Sequence, residues 1–327
     1  MITDTRIKIL GYIRTHKQAR AHDLVRVFGI SHVAVHKQLK NLLNIGEVTK
    51  VGKPPLVFYV PKKKKQEIKG DTPDDIIIIN KNYLYISPLG ELLYGLEGFA
   101  AWAKSINEEK HLHKLAVEYV NTLSQVRKHF ANRYIDATEK LKNTFKEAYV
   151  DKLFFADFYS LPKFGKTKLG QLVLYSKQSQ NRELINQLAT IVKPIIEQII
   201  KEFSIDAVVF IPPTVPRVLQ FMDELEIALN LNLPSIELVK VVTGEVVVAQ
   251  KTLARLEERI INARDTIFMK KNEYPYHNVL LIDDAADSGS SFNETAKKLK
   301  GVQTDKNKII AFAIVGSLKG FDVIREV

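Results

Sequence analysis

The sequence predicts an α/β protein in which a mainly parallel sheet with flanking helices follows a small α+β N-terminal domain and a helical middle region. In the C-terminal half, short apolar runs alternate with stretches whose apolar residues recur every three or four positions, which is typical of alternating strands and helices. The N-terminal part instead combines short helical patterns with two alternating segments. A chain of 327 residues is long enough for two or three domains. We expect a division into residues 1–61, 62–75, 76–150 and 151–327.

Composition restricts the class of protein. A hydrophobic fraction of 46% is enough to build buried cores, and the absence of Cys excludes disulfides, thiolate metal sites and Cys nucleophiles. No apolar run approaches the length that spans a membrane, and the N-terminus lacks the pattern of a signal peptide. We therefore expect a cytoplasmic protein without a membrane partner.

The net charge of +11 is concentrated at the N-terminus. Residues 1–65 contain 14 Lys and Arg against 3 Asp and Glu, whereas the remainder contains 34 of each kind. A basic domain on a neutral body indicates a polyanionic partner for that domain. A solvated basic tail is the alternative explanation, but it would account only for Lys62–Lys65.

The N-terminal domain is predicted to contain three helices and two strands, over residues 3–15, 21–28, 31–44, 48–51 and 56–60. Thr3 or Asp4 can cap the first helix, Ser31 can cap the third, and Gly46 ends it. The apolar residues of the helices are Ile7, Ile9, Leu10, Ile13, Leu24, Val25, Val27, Val33, Val35, Leu39, Leu42 and Leu43.

The segment from Gly29 to Pro61, GISHVAVHKQLKNLLNIGEVTKVGKPPLVFYVP, resembles winged-helix bacterial transcription regulators. The resemblance implies a winged helix-turn-helix domain that binds double-stranded DNA, with the first residues of the recognition helix at the base edges. The alternative is a winged helix that contacts only protein. The residues expected to contact DNA are Ser31, His32, His36, Lys37 and Lys40 in the helix, and Lys50 and Lys53 on backbone phosphates.

A metal site in this domain is not expected. His32 and His36 lie one helical turn apart, but the sequence supplies no third ligand beside them. We therefore interpret both as groove or surface residues.

The middle of the chain predicts a charged linker followed by helices. Residues 62–75 contain Gly70 and Pro73 among charged residues, and residues 76–79 and 83–86 predict a hairpin. From about residue 88 to 149 the apolar period is helical. These helices either form a homodimer contact or pack as part of the core of this chain, and the sequence leaves both open.

The C-terminal part predicts further alternation. Helices are expected over residues 181–203, 219–229 and 292–299, and strands over 207–211, 236–242, 279–282 and 309–315. The strand that ends at Ile211 runs into a Pro-rich loop with Pro212, Pro213, Thr214 and Arg217. An arginine there suits a pyrophosphate group, because its guanidinium binds phosphate oxygens in pairs.

One segment carries the most chemistry. An apolar strand ends in Asp283 and Asp284, and a loop of small residues, Asp287–Ser291, then opens a helix. Open α/β sheets bind ligands at the carboxyl ends of their strands, and free N–H groups at a helix N-terminus can hold a phosphate. Paired acids beside a phosphate cradle suit a sugar phosphate. The alternative is an ordinary α/β turn with exposed acids.

The sequence IDDAADSGSS resembles the phosphoribosyl-pyrophosphate (PRPP) motif of type I phosphoribosyltransferases, and the resemblance implies a phosphoribosyltransferase-type sheet. By this resemblance, Asp283 and Asp284 hold the ribose, and Asp287 is a base or base-orienting residue. Mg²⁺ accompanies PRPP and bridges its pyrophosphate and ribose oxygens. The remaining PRPP-binding positions are Ala285, Ala286, Ser288, Gly289, Ser290 and Ser291.

A second resemblance covers about residues 151–327. The spacing of Gln250, Leu253, Arg259, Asn262 and Phe268 is similar to that of the competence-protein-F group, the amidophosphoribosyltransferase-like proteins. It implies secondary site roles for Gln250, Arg259 and Asn262, which could alternatively lie on a polar helix face. It also implies that residues 154–159 and 170–177 form a small hood. Residues 218–222, Val-Leu-Gln-Phe-Met, replace the group's Arg-Gly-Phe-Asn-Gln, which argues against full catalysis.

Three functions are compatible with these patterns. The first is a transcriptional regulator that senses PRPP or a nucleotide, as in the purine-operon repressor type. The second is an active nucleobase phosphoribosyltransferase with an accessory winged helix, and the third is an accessory protein of competence or DNA uptake. Asp287 favours the enzyme, whereas the DNA module and residues 218–222 favour the sensor.

Overall fold

The computed structural model describes residues 2–62, 73–242, 244–270, 276–302 and 308–319. The chain divides into two compact units, Met1–Lys69 and Gly70–Val327. Among the described residues, no helix combines the length and apolar character needed to span a bilayer.

The smaller unit contains three helices and an antiparallel hairpin, α1 (Ile2–His16), α2 (Ala21–Phe28), α3 (His32–Asn44), β1 (Val48–Val51) and β2 (Phe58–Pro61). The predicted cap of α3 is confirmed, because the Ser31 hydroxyl accepts a hydrogen bond from Ala34 N at 3.2 Å. Gly29 adopts φ 61°, a left-handed conformation that ends α2 where glycine costs least. The core contains Ile9, Ile13, Leu24, Val35, Leu39, Leu42, Val48 and Tyr59.

Two details of this unit differ from the prediction. Helix α1 begins at Ile2, so Thr3 and Asp4 lie in its first turn rather than capping it. Ile7 and Val33 were grouped with the apolar residues of the helices and Val27 was expected on the inner face of the second, but the three are 61%, 79% and 50% exposed. All three lie off the stripe that Leu24, Val35 and the other core residues form, so helical rotation turns them to solvent.

The larger unit contains nine further helices among the described residues, together with twelve strands. The elements are α4 (Pro73–Asn82), β3 (Leu84–Ile86), β4 (Leu92–Tyr94), α5 (Gly95–Ser105), α6 (Leu112–Arg127), β5 (Phe130–Ala131), β6 (Tyr134–Asp136), α7 (Thr138–Thr144), β7 (Lys152–Phe158), β8 (Ser160–Leu161), β9 (Gly165–Lys166), α8 (Lys168–Ser179), α9 (Arg182–Glu202), β10 (Ala207–Phe210), α10 (Phe221–Leu229), β11 (Leu238–Lys240), α11 (Leu256–Thr266), β12 (Ile267–Met269), β13 (Asn278–Ala286), α12 (Ser290–Val302) and β14 (Lys308–Gly316).

The main sheet has six strands in the order β10-β13-β14-β7-β6-β5. The first four run parallel, and the β5–β6 hairpin joins antiparallel, so the predicted mainly parallel sheet is confirmed. Successive residues of the central strands belong to two different cores, one on each face of the sheet. Phe155 and Leu281 pack towards α5, α6 and α12. Phe154 and Leu280 pack towards α8, α9 and α10. Helices therefore cover both faces, which explains the unbroken apolar runs of the central strands.

The predicted hairpin of residues 76–79 and 83–86 is wrong. Residues 76–79 lie in α4, and β3 pairs with β4 instead. Pro73 occupies the first helical position and Asp74 and Asp75 lie in the first turn, where both residue types stabilise a helix. Burial of Ile79 in the core then overrides the β preference of the isoleucine run. Residues 63–72 of the predicted linker lie outside the described residues, and its last three residues begin α4.

The middle region is built into the larger unit. The predicted helices occur as α5, α6 and α7, but β4, β5 and β6 interrupt them, and β5 and β6 extend the main sheet. Phe99, Trp102, Leu115 and Tyr119 are buried in the core of this unit. Of the two alternatives, packing within the chain is therefore present, and the homodimer stays a prediction.

Two segments of the C-terminal part also differ from expectation. The proposed hood does not form, because residues 152–158 are β7 of the main sheet and residues 170–177 lie in α8. The strand predicted over 236–242 is shorter, and β11 pairs antiparallel with β12 outside the main sheet. Val239 on β11 is 41% exposed, so this strand is not buried on both faces as its apolar run suggested.

Asp157, near the carboxyl end of β7, is a carboxyl group in an enclosed position. Phe158 N donates to Asp157 Oδ1 at 2.8 Å. Burial is the largest influence and raises the pKa of Asp157 to about 7, although hydrogen bonds from Phe158 and Thr167 act in the opposite direction. The folded protein thus retains a proton on Asp157 that the unfolded chain releases at lower pH.

We predict that Asp157→Asn changes the pH dependence of stability. Because the folded pKa lies above the usual value of about 4, the wild-type protein loses stability as pH rises from about 4 to 7 and is level above that range. The variant lacks this group, so relative to wild type it gains about 2–3 kcal/mol in free energy of unfolding between pH 5 and pH 8. Urea denaturation at both pH values measures this, and a difference that is independent of pH would contradict the assignment.

Candidate functional site

A cavity of about 1270 Å³ lies at the carboxyl ends of β10, β13 and β14. These neighbouring strands run parallel, so their ends meet at one edge of the sheet. The charged side chains of the lining are five cations and three acids, Lys177, Arg217, Lys240, Arg259, Lys319, Asp283, Asp284 and Asp287. The excess of positive charge suits a polyanionic ligand.

The acid pair lies within the end of β13 rather than after it. The strand continues to Ala286, with Asp283 opposite Ala313 and Ala285 opposite Val315 of β14. Asp284 N donates to Asp283 Oδ1 at 2.8 Å. Burial, with Asp284 beside it, raises the pKa of Asp283 well above its usual range. Asp283 therefore tends to hold a proton.

Lys177, in the last turn of α8, forms an ion pair with Asp284. Burial alone would lower the pKa of Lys177, but attraction to Asp284 and their hydrogen bond outweigh burial and raise the pKa. Arg217 in turn donates a hydrogen bond to the backbone oxygen of Lys177. The sequence contained no motif that singled out Lys177, although it is among the most central cations of the site.

The loop after β13 has the form of an anion cradle. Gly289 adopts φ +80°, and a Cβ at this position would lie 2.6 Å from Leu141 Cδ1. Ser290 is buried and begins α12, two residues earlier than predicted, and its hydroxyl lies 3.1 Å from that of Ser288. The first N–H groups of a helix have no partner within the helix, so this loop presents donors to the cavity.

Asp287 faces the same cavity and is held by Arg259 on α11. Burial acts to raise the pKa of Asp287, but Arg259, Lys140 and Lys319 outweigh it and hold the pKa below its usual range. An ionised carboxylate of this kind is a strong hydrogen-bond acceptor and a weak proton acceptor. This environment suits orientation of a ligand N–H group better than proton abstraction.

Arg259 is itself fixed by two backbone contacts. Its Nε donates to Leu253 O at 2.8 Å, and Gln250 Nε2 donates to Arg259 O at 3.0 Å. Gln250 and Arg259 both line the cavity. Asn262 is not among the residues that line it, and its amide donates to Val248 O at 3.4 Å.

The Pro-rich loop closes another side of the cavity. Pro212, Pro213, Thr214 and Arg217 line it as predicted, and Lys240 Nζ donates to Thr214 Oγ1 at 2.7 Å. Burial lowers the pKa of Lys240, and the charge of Asp283 partly offsets this. Lys240 and Lys319 were missed by sequence analysis because each is a single lysine near a strand end, without a distinguishing motif.

The predicted nucleic-acid interface is a surface of the smaller unit. Five predicted helix residues are exposed together in the first turns of α3: Ser31, His32, His36, Lys37 and Lys40. Lys50 and Lys53 are exposed in the β1–β2 hairpin, and Lys50 Nζ lies 5.7 Å from the centre of the Tyr59 ring. All seven side chains are therefore accessible to a partner.

A scan against protein-family models found no match to this chain, and neither did a search of curated proteins.

We predict that Gly289→Ala destabilises the larger unit by about 1–3 kcal/mol, because the new Cβ meets Leu141 and the backbone has a left-handed φ. Gly244→Ala is the matched control, since a Cβ there has nothing within 4 Å and the φ lies outside the left-handed range. Urea denaturation compares the two variants. Equal stability of both would show that the Gly289 turn is not under steric constraint.

Proposed function

We propose that this chain is a DNA-binding protein whose larger unit is a type I phosphoribosyltransferase-type domain that binds PRPP. The observation that carries the proposal is the joint position of Asp283, Asp284 and the Ser288–Ser291 loop at one cavity. An acid pair and a helix N-terminus on the same strand-loop-helix segment match the two parts of a sugar phosphate. We infer that the protein regulates transcription in response to PRPP or a nucleotide.

The ligand would lie with its ribose at the end of β13. Asp283 and Asp284 accept hydrogen bonds from the ribose hydroxyls, and residues 288–291 hold the 5′-phosphate. Arg217, which lines the same cavity from the loop after β10, supplies charge for the pyrophosphate. Asp287, held by Arg259, is placed to accept a hydrogen bond from a base.

Magnesium would enter this site with the ligand. No cluster of three or more His, Cys, Asp or Glu side chains suited to a metal occurs in the described part of the chain. Mg²⁺ commonly binds through substrate oxygens and few protein ligands, which agrees with a site that offers only Asp283 and Asp284 at the strand end. When bound, it would neutralise the charge of the pyrophosphate.

For the smaller unit we propose a winged helix-turn-helix that binds double-stranded DNA through α3. Support comes from the capped start of α3, the exposed His and Lys residues of its first turns, and the hairpin that follows. The excess positive charge of residues 1–65 favours nucleic acid over a protein partner. Ligand control of DNA binding would require two states of the protein, one that binds DNA and one that does not, and a different affinity of each state for PRPP.

Turnover is the second candidate function, and one observation favours it: Asp287, the residue to which the resemblance gives the role of base, lines the cavity. Its lowered pKa argues against a role as proton acceptor, which agrees with the sensor. Calorimetry with PRPP and Mg²⁺, with pyrophosphate release followed across a panel of nucleobases, distinguishes the two. Binding without release supports the sensor, release identifies an enzyme, and absence of binding contradicts both.

We predict that the double variant Asp283→Asn, Asp284→Asn lowers the affinity for PRPP by about a hundredfold or more, because each ribose contact loses a carboxyl oxygen and gains an amide N–H that cannot accept a hydrogen bond. Binding of ligand-free protein to DNA should be unchanged. Calorimetry for PRPP and fluorescence anisotropy for DNA test the two parts. Wild-type affinity for PRPP in the variant would remove the site assignment.

We predict that Lys37→Ala weakens DNA binding about 3–10-fold at moderate salt and reduces the slope of log K against log salt by about 1. Lys8→Ala is the control, since Lys8 is also exposed but lies in α1. Anisotropy titrations over a salt series measure both. Equal effects of the two substitutions would indicate a general charge effect and contradict the role of α3.

A further inference from the structure

The ion pair between Lys177 and Asp284 lies in the lining of the proposed ligand site. The Asp284 side chain is only 14% exposed, and that of Lys177 is 35% exposed. Asp284 is also one of the two acids proposed to accept ribose hydroxyls. In the free protein, therefore, an internal cation already occupies a carboxylate that the ligand needs.

Lys177 is held in place from several sides. It lies 5.7 Å from the centre of the Phe221 ring, and Arg217 hydrogen-bonds to its backbone oxygen. Attraction to Asp284 keeps the ammonium charged despite burial. An ion pair in such an enclosed place loses hydration on both partners, so its net stability is small compared with its electrostatic attraction. A ligand that supplies new partners to both groups can replace it at little cost.

We propose that Lys177 is an exchangeable counter-ion of Asp284. When a ligand binds, Lys177 moves from Asp284 to an anionic group of the ligand, and Asp284 can then bind the ribose. Ribose binding therefore depends on the presence of that anionic group. The inference rests on the proposed PRPP site and adds a specificity-determining residue to it. Ligand binding then exchanges one ion pair for two contacts: Lys177 with the anion and Asp284 with the ribose hydroxyls. The ammonium has three N–H donors on a flexible chain, so the exchange needs only side-chain rotation.

The surroundings of Lys177 indicate which anion it would bind. Arg217 and Lys240 line the same cavity, and the charge of Asp283 acts on both Lys177 and Lys240. Lys177 belongs to α8, Arg217 to the loop that follows β10, and Lys240 to β11. All three are distant in the chain from the Ser288–Ser291 loop. A pyrophosphate on the ribose would meet them, whereas ribose 5-phosphate has its only anionic group at the opposite end and leaves Lys177 on Asp284.

A purely structural role is the competing explanation, in which Lys177 only fastens α8 to β13. The two roles predict different patterns of affinity. Loss of a structural ion pair would weaken all ligands together, because the cavity itself would be disturbed. Loss of an exchangeable counter-ion would weaken only ligands that carry the pyrophosphate, since Asp284 becomes free for the others.

Calorimetry of Lys177→Gln, Lys177→Arg and wild type with PRPP, pyrophosphate and ribose 5-phosphate, each with Mg²⁺, tests the proposal. We expect Lys177→Gln to bind PRPP and pyrophosphate about tenfold or more weakly and ribose 5-phosphate equally or more tightly. Lys177→Arg should retain most of the PRPP affinity. Lys201→Gln, an exposed lysine of α9, removes the same charge outside the cavity and should change none of the three.

Asp284→Asn examines the pair from its other side and remains informative if Lys177→Gln does not fold. It frees Lys177, so we expect pyrophosphate to bind at least as tightly as to wild type, while PRPP binds more weakly. Parallel weakening of all three ligands in Lys177→Gln, or unchanged PRPP binding, would overturn the exchange but leave the PRPP site intact. Absence of PRPP binding to wild type would overturn the proposed function and this inference together.

Discussion

Burial of β13 between two parallel neighbours is the constraint on which the candidate site depends. Residues 279–282 are fully buried, with β10 on one side, β14 on the other and helices over both faces. That burial determines the register of the strand, so the strand end must project its acids at the same edge where the β10 and β14 loops begin. The position of the acid pair at the cavity follows from this burial.

Opposite charges in the site are enclosed together, and this determines how a ligand can bind. Asp284 is paired with Lys177, Asp287 with Arg259, and Lys240 with the Thr214 hydroxyl. Asp284 and Arg259 are 14% and 18% exposed, so these two groups have lost most of their water and must exchange their contacts for equivalent ones when a ligand enters. A ligand with hydroxyl groups and two separate phosphate groups offers such equivalents, whereas an apolar or singly charged ligand leaves some groups without partners.

Sequence reasoning was accurate where the signal was local. The Ser31 cap and the α2 and α9 boundaries occur as predicted to within one residue, because capping and periodicity depend on neighbouring residues. The order of strand, loop and helix around Asp283 is also present, although β13 extends through the acids and α12 begins earlier than predicted. It failed at residues 76–79, where an isoleucine run typical of a strand forms a helix. It also failed for residues 154–159, which were expected in a hood but lie mostly in β7 of the main sheet. The aromatic run gave no indication that this segment pairs with β14.

The sequence by itself determined the acid pair, the hydroxyl loop, the Pro-rich loop and the basic recognition helix as candidate parts. Only the tertiary structure decided that Lys177 contacts Asp284, 107 residues away, and that Lys240 reaches Thr214. It also placed Asn262 outside the cavity although Arg259, three residues earlier, lines it. The reason is physical: a motif records contacts between near neighbours, whereas these contacts depend on how α8, β11 and α11 pack around the sheet.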